Sequence, residues 1–96
     1  MAKYIALTNW TDQGVKNVKE SPNRVDAARD LARSLGCELQ DFYLTIGAYD
    51  MVVTIEAPDD ETVAKFALTL ASAGNVRTTT LKALSEDTYR EIVSAL

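Results

Sequence analysis

The chain has 96 residues and weighs 10.5 kDa, with 47% apolar and 25% charged residues, which suits one domain (1–96) with a modest core that needs no disulfide or metal. Fourteen acids against ten Lys and Arg leave a net charge of −4, and that argues against a nucleic-acid partner. The chain has no histidine, which removes His-based acid–base chemistry, Ser–His and Cys–His nucleophile pairs and nearly every zinc site.

In chain order, residues 3–10 read as a strand, with Ile5 and Leu7 on one side and Tyr4, Ala6, Thr8 and Trp10 on the other. Thr11 or Asp12 can cap a short, weak helical segment over 12–19 that contains Gly14. Ser21 before Pro22 predicts the cap and first turn of a helix over 22–35, with Ala28, Leu31, Ala32 and Leu35 on one face and Gly36 as its stop. Residues 37–46 read as a second strand, 47–50 as a turn, and 51–57 as a third strand rich in β-branched residues. So short a connection makes the two strands antiparallel neighbours.

Pro58, Asp59, Asp60 and Glu61 mark the next helix start. Val63, Phe66, Ala67 and Leu70 form its apolar stripe and Gly74 its end. A fourth strand spans 75–83. Ser85-Glu86-Asp87 then caps a last helix whose stripe is Tyr89, Ile92, Val93 and Leu96. The fold class is therefore α+β: a ferredoxin-like βαββαβ sandwich with a four-stranded antiparallel sheet, two helices on one face and a C-terminal helix.

Only that last helix is available to cover the second sheet face. The reading places Tyr4, Ala6, Thr8 and Trp10 there, with Tyr43, Thr45, Val52, Thr54, Glu56, Thr78 and Thr80. So apolar a face in so small a monomer calls for a two-fold dimer, sheet against sheet, with room for a cavity between.

The segment Gly47-Ala48-Tyr49-Asp50 carries the Gly-x-Tyr-Asp signature of the GYD domain family. Nearly the whole chain resembles that family, through Thr11-Asp12-Gln13-Gly14, Ser21-Pro22-Asn23-Arg24, the run Glu56 to Asp60 and the strand Val76 to Leu81. The resemblance implies a ferredoxin-like fold, commonly dimeric as an α/β barrel, and supplies no activity. Related barrel dimers include cofactor-free monooxygenases and small-ligand-binding regulatory domains.

Candidate ligand contacts are Tyr4, Trp10, Tyr43, Tyr49, Asp50, Glu56 and Arg77. Five of them also have a structural reading: Tyr4 and Trp10 as core or interface, Asp50 bonding turn amides, Tyr49 packing over the hairpin, and Arg77 pairing with an acid. Glu56, a carboxylate among apolar strand residues, is the candidate proton acceptor. Cys37 reads as an inert thiol. No metal or other cofactor is expected, since no loop has the ligand pattern of a magnesium or calcium site.

The first expectation is a homodimer, or a higher homo-oligomer, that binds a small molecule between its sheets. Alternatives are a cofactor-free enzyme using a carboxylate or tyrosine, and a structural or regulatory assembly module. The short N-terminal apolar segment and the absence of an 18-residue apolar run predict a cytoplasmic protein without a membrane partner.

Overall fold

The computed structural model describes residues 1–96. The elements are β1 (Ala2–Trp10), α1 (Asp12–Lys16), a 3-10 turn (Val18–Glu20), α2 (Ser21–Leu35), β2 (Glu38–Leu44), β3 (Met51–Ala57), α3 (Asp60–Ser72), β4 (Val76–Ala83) and α4 (Glu86–Ser94). The four strands form one antiparallel sheet in the order β2-β3-β1-β4. This is the ferredoxin-like α+β fold, with α2 and α3 on the same face.

The helices bury the stripes their periodicity dictates. Ala32 of α2 and Val63 and Phe66 of α3 lie in the core with Leu39, Val53, Ile55 and Ala57 of the sheet, and Ala28, Leu31, Leu35 and Leu70 pack around them. Three element starts differ from expectation. Ser21 is not a cap: the 3-10 turn runs straight into α2, the backbone at Glu20 is already helical, and Ser21 falls within the first turn. Helix α3 starts after its true cap Asp59, whose carboxylate accepts from the Thr62 N–H at 2.8 Å. Strand β2 is shorter than 37–46 because Cys37 N–H still donates to Ala32 O of α2 and Thr45 belongs to the hairpin.

Register decides which side chains share a face. Tyr4 pairs with Ile55, Ala6 with Val53 and Thr8 with Met51, so even positions of β1 lie beside odd positions of β3. Tyr4, Ala6, Thr8 and Trp10 therefore cannot share a face with Val52, Thr54 and Glu56. The helices cover the first set: Tyr4 is 3% exposed, Ala6 5% and Thr8 6%. This corrects the expectation that Tyr4, Ala6, Thr8 and Trp10 line the uncovered face. Thr78 and Thr80 move with them, because they pair with Thr8 and Ala6. The reason is packing. Met51, Val53, Ile55 and Ala57 of β3 are the continuous apolar set, and the register brings Tyr4, Ala6 and Thr8 of β1 beneath the helices with them. A bulge between Leu39 and Asp41 lets Leu39 and Phe42 both reach that core.

Helix α4 does not fold back over the sheet. Ser85 caps it by accepting from the Thr88 N–H at 3.1 Å, but none of its residues is buried. The molecule is accordingly long, with principal extents of 49 × 31 × 18 Å. No helix is long and apolar enough to cross a membrane.

Candidate functional site

The uncovered sheet face has an apolar centre. Tyr43 pairs with Val52, Val52 with Leu7, and Ile5 with Leu81, which sets aliphatic and aromatic carbon across all four strands. Ile5, Leu7 and Val52 are half-buried, while Tyr43 and Leu81 are 58% and 45% exposed. Polar groups surround that centre. Thr54 donates to the Asp41 carboxylate at 2.8 Å and accepts from the Asp41 N–H at 3.0 Å. Lys3 and Glu38 flank Glu56 in register, and Arg77 lies opposite Asn9 at the far end. Glu56 is half-buried at this rim. Arg77 is exposed and makes no ion pair within the chain.

The signature hairpin sits at the same end of the sheet as Arg77. Thr45 closes it: its N–H donates to Asp50 O at 2.8 Å and its hydroxyl to Tyr49 O at 2.6 Å. Gly47 has φ +148°, a backbone that a side chain rarely adopts, so the signature needs glycine there. Asp50 reaches beyond its own turn. Its carboxylate accepts from the Trp10 N–H at 3.0 Å, while its own N–H donates to Thr8 O at 3.0 Å and to Asn9 Oδ1 at 2.9 Å. Asp50 therefore ties the β2–β3 hairpin to the end of β1. Tyr49 lies half-buried beside it.

Tyr4 sits at the opposite end, on the helix face. Its hydroxyl donates to the Asp60 carboxylate, which also pairs with Lys82 Nζ at 3.1 Å. That bond to Asp60 and the surrounding burial push the phenol up to about 12. The same bond, followed by Lys82, holds Asp60 below the usual carboxylate range. Burial pushes the Cys37 thiol up, as expected for an unreactive side chain. No three acidic or thiol side chains converge as metal ligands.

Of the expected contacts, the sheet face holds Tyr43, Glu56 and Arg77; Tyr49 and Asp50 build the hairpin; Tyr4 and Trp10 lie on the other side. Ile5, Leu7 and Leu81 were missed as the centre of the face. Pairing β1 to β3 by their apolar sets would have found the first two. Gly14 was also under-read. Thr11 caps α1 by accepting from the Gly14 N–H at 3.1 Å, and a Cβ on Gly14 would meet Asn75 O at 2.0 Å. The Thr11-x-x-Gly14 spacing is thus a docking device between α1 and the start of β4.

Comparison with known proteins agrees with this geometry. The model of the GYD domain family matches residues 4–93. A Thermus thermophilus protein named glutamine synthetase and cystathionine beta-lyase binding protein is 38% identical over 85 residues, covering 88% of this chain and 90% of that one. The crystal structure of MtbAldR superposes with a TM-score of 0.68 at 17% identity, covering 88% of this chain, which spans only about half (54%) of that chain. A second crystal structure, also of a Thermus thermophilus protein, gives a TM-score of 0.57 at 24% identity and covers 88% and 95% of the two chains. At such identities these two structures speak to fold alone.

Proposed function

This chain belongs to the GYD domain family, and from that premise we propose that it is a homodimeric protein-binding domain whose partners are enzymes. The observation that carries the reading is α4. Tyr89, Ile92 and Val93 make an apolar stripe on α4 that stays 61%, 48% and 49% exposed, and Leu96 follows just past the helix end at Ser94. A capped amphipathic helix held clear of its domain suits a groove on another protein, with the stripe as its anchors. The name of the Thermus relative, a binding protein for two enzymes, supports the same class of partner.

The uncovered sheet face supports the dimer. An apolar centre of Ile5, Leu7, Val52 and Leu81 inside a polar rim is the usual anatomy of an interface, and a two-fold axis satisfies both copies with one patch. A small molecule between the sheets loses two of its expected contacts, since Tyr4 and Trp10 face the helices. The catalytic alternative has less support still. Asp50 is engaged by Trp10, and the Tyr4 phenol gives its proton to a hydrogen bond with Asp60. We place the dimer in the cytoplasm, where a lone buried thiol stays reduced.

The test is a binding titration of the purified chain against glutamine synthetase and cystathionine β-lyase from its own source. The wild type is expected to bind at least one of them. Ile92→Asp is expected to abolish that binding while leaving oligomeric state and circular dichroism unchanged. Binding to neither enzyme, or full retention by Ile92→Asp, contradicts the reading.

A further inference from the structure

The helix face of the sheet is not sealed. Between α2 and α3, above β1 and β3, lies a cavity of about 370 Å³. Four alanines, Ala6 on the floor and Ala27, Ala28 and Ala73 on the walls, leave room among larger apolar side chains such as Leu31 and Leu70. Elsewhere Phe42, Met51 and Phe66 enclose it. Close-packed interiors leave few voids larger than a water, and this volume falls within the range of small-ligand sites. Water is a poor occupant of its apolar part, where the surrounding carbon gives it no partners. No buried side-chain polar atom inside the protein waits for a ligand, so the deep part of an occupant is hydrocarbon or aromatic.

One end of the cavity is different. Arg24 lies there with Ser21 and Asn75. Its Nη1 donates to Asn17 O and its Nη2 to Gly14 O, at 3.1 Å each. A guanidinium has five N–H donors and keeps its charge, and these two bonds to neutral carbonyls neither exhaust the donors nor neutralise the charge. Arg24 has no acidic partner among the ion pairs of the chain. The bonds to the α1 segment fix the group in place, so it is presented rather than mobile.

We infer that this cavity is a binding site for a small monocarboxylic acid with an apolar body, the carboxylate at Arg24 and the tail between the helices. The site lies on the opposite side of the sheet from the dimer face and away from α4. It stands independently of the protein-binding function, and either can fail alone.

Trp10, the only tryptophan, lines the cavity and reports its occupancy by fluorescence. The experiment titrates octanoate and octan-1-ol into the wild type, Ala28→Leu and Arg24→Gln, and adds butyrate and palmitate for the wild type. Expected are a saturable Trp10 response and a raised Tm with octanoate, an optimum at intermediate chain length, and at least tenfold weaker octanoate binding in Ala28→Leu. Arg24→Gln is expected to weaken octanoate at least tenfold and octanol less than twofold. No saturable response in the wild type overturns the proposal, and because it needs no variant it decides even if one fails to fold. Unchanged binding in Ala28→Leu overturns it as well. So does a change of oligomeric state in that variant in place of lost octanoate binding, since a second copy would then be the occupant. Equal losses of octanoate and octanol in Arg24→Gln refute the carboxylate assignment and leave Arg24 a clamp on α1.

Discussion

Replacing Gly14 by alanine adds one methyl group, and the structure gives it nowhere to go. The new Cβ would sit 2.0 Å from Asn75 O and 2.9 Å from the Asn75 carbonyl carbon, both backbone atoms. Restoring an ordinary contact of 3.4 Å to that oxygen requires a shift of about 1.4 Å between α1 and the start of β4 (3.4 − 2.0). Two bonds cross that gap: Thr11 N–H to Asn75 O at 3.0 Å and the Thr11 hydroxyl to Gly74 O at 2.5 Å. Overpacking costs about 1–3 kcal/mol, and two lost hydrogen bonds about 1–3 kcal/mol together. Against this stands about 1 kcal/mol gained from the helix preference of alanine over glycine. The net loss centres near 3 kcal/mol, or roughly 12–24 °C in Tm for a domain of this size. Thermal and urea unfolding followed by circular dichroism would measure it, with the urea slope unchanged. A Gly14→Ala variant as stable as the wild type, or more so, refutes the close-approach account of the Thr11-x-x-Gly14 spacing.

Other residues make sharper chemical tests. Asp50→Ala removes the acceptor of the Trp10 N–H and is expected to cost about 1–3 kcal/mol in urea unfolding, with Asp50→Asn recovering part through its remaining oxygen. Tyr4 has a raised phenol, so its contribution is complete below pH 10 and fades as pH rises to about 12. The wild type should therefore lose its stability advantage over Tyr4→Phe across that interval, and an unchanged difference contradicts the Asp60 bond. Asp59 and Asp60 are both held low, by Thr62 and by Tyr4 with Lys82 respectively, so their contribution holds above pH 4 and is lost as acid protonates them in the folded state. Asp59→Asn with Asp60→Asn should flatten the acid limb of a stability-against-pH curve. Ser85→Ala should speed amide exchange in α4 with little change in the main unfolding transition, because no residue of α4 is buried.

What could be read from the chain and what could not divides along local and non-local lines. The stripes of α2 and α3 follow a 3.6-residue period written within each segment, and Ala32, Val63 and Phe66 went where that period sent them. The faces of β1 did not follow, because both of its alternating sets are largely apolar. Tyr4 and Ala6 compete with Ile5 and Leu7, and only pairing with Met51–Ala57, some fifty residues away, breaks the tie. Asp50 was legible as a turn residue by its neighbours, but its carboxylate partner lies forty positions back at Trp10. The cavity was illegible for the same reason, since alanines on α2 and β1 become a void only once those elements are packed together. The stripe of α4 was plain in the sequence, and the structure adds that Tyr89, Ile92 and Val93 stay exposed on it.

We propose that the apolar sheet face packs against a second copy of itself. Leu81 lies in that face, 45% exposed and on the opposite side of the sheet from the helix-covered core, so Leu81→Asp is expected to break such a dimer and spare the fold. Sedimentation velocity over a hundredfold range of concentration should show the wild type as a dimer and Leu81→Asp as a folded monomer. A wild type that sediments as a monomer throughout, or a Leu81→Asp variant that still dimerises as tightly, would contradict it.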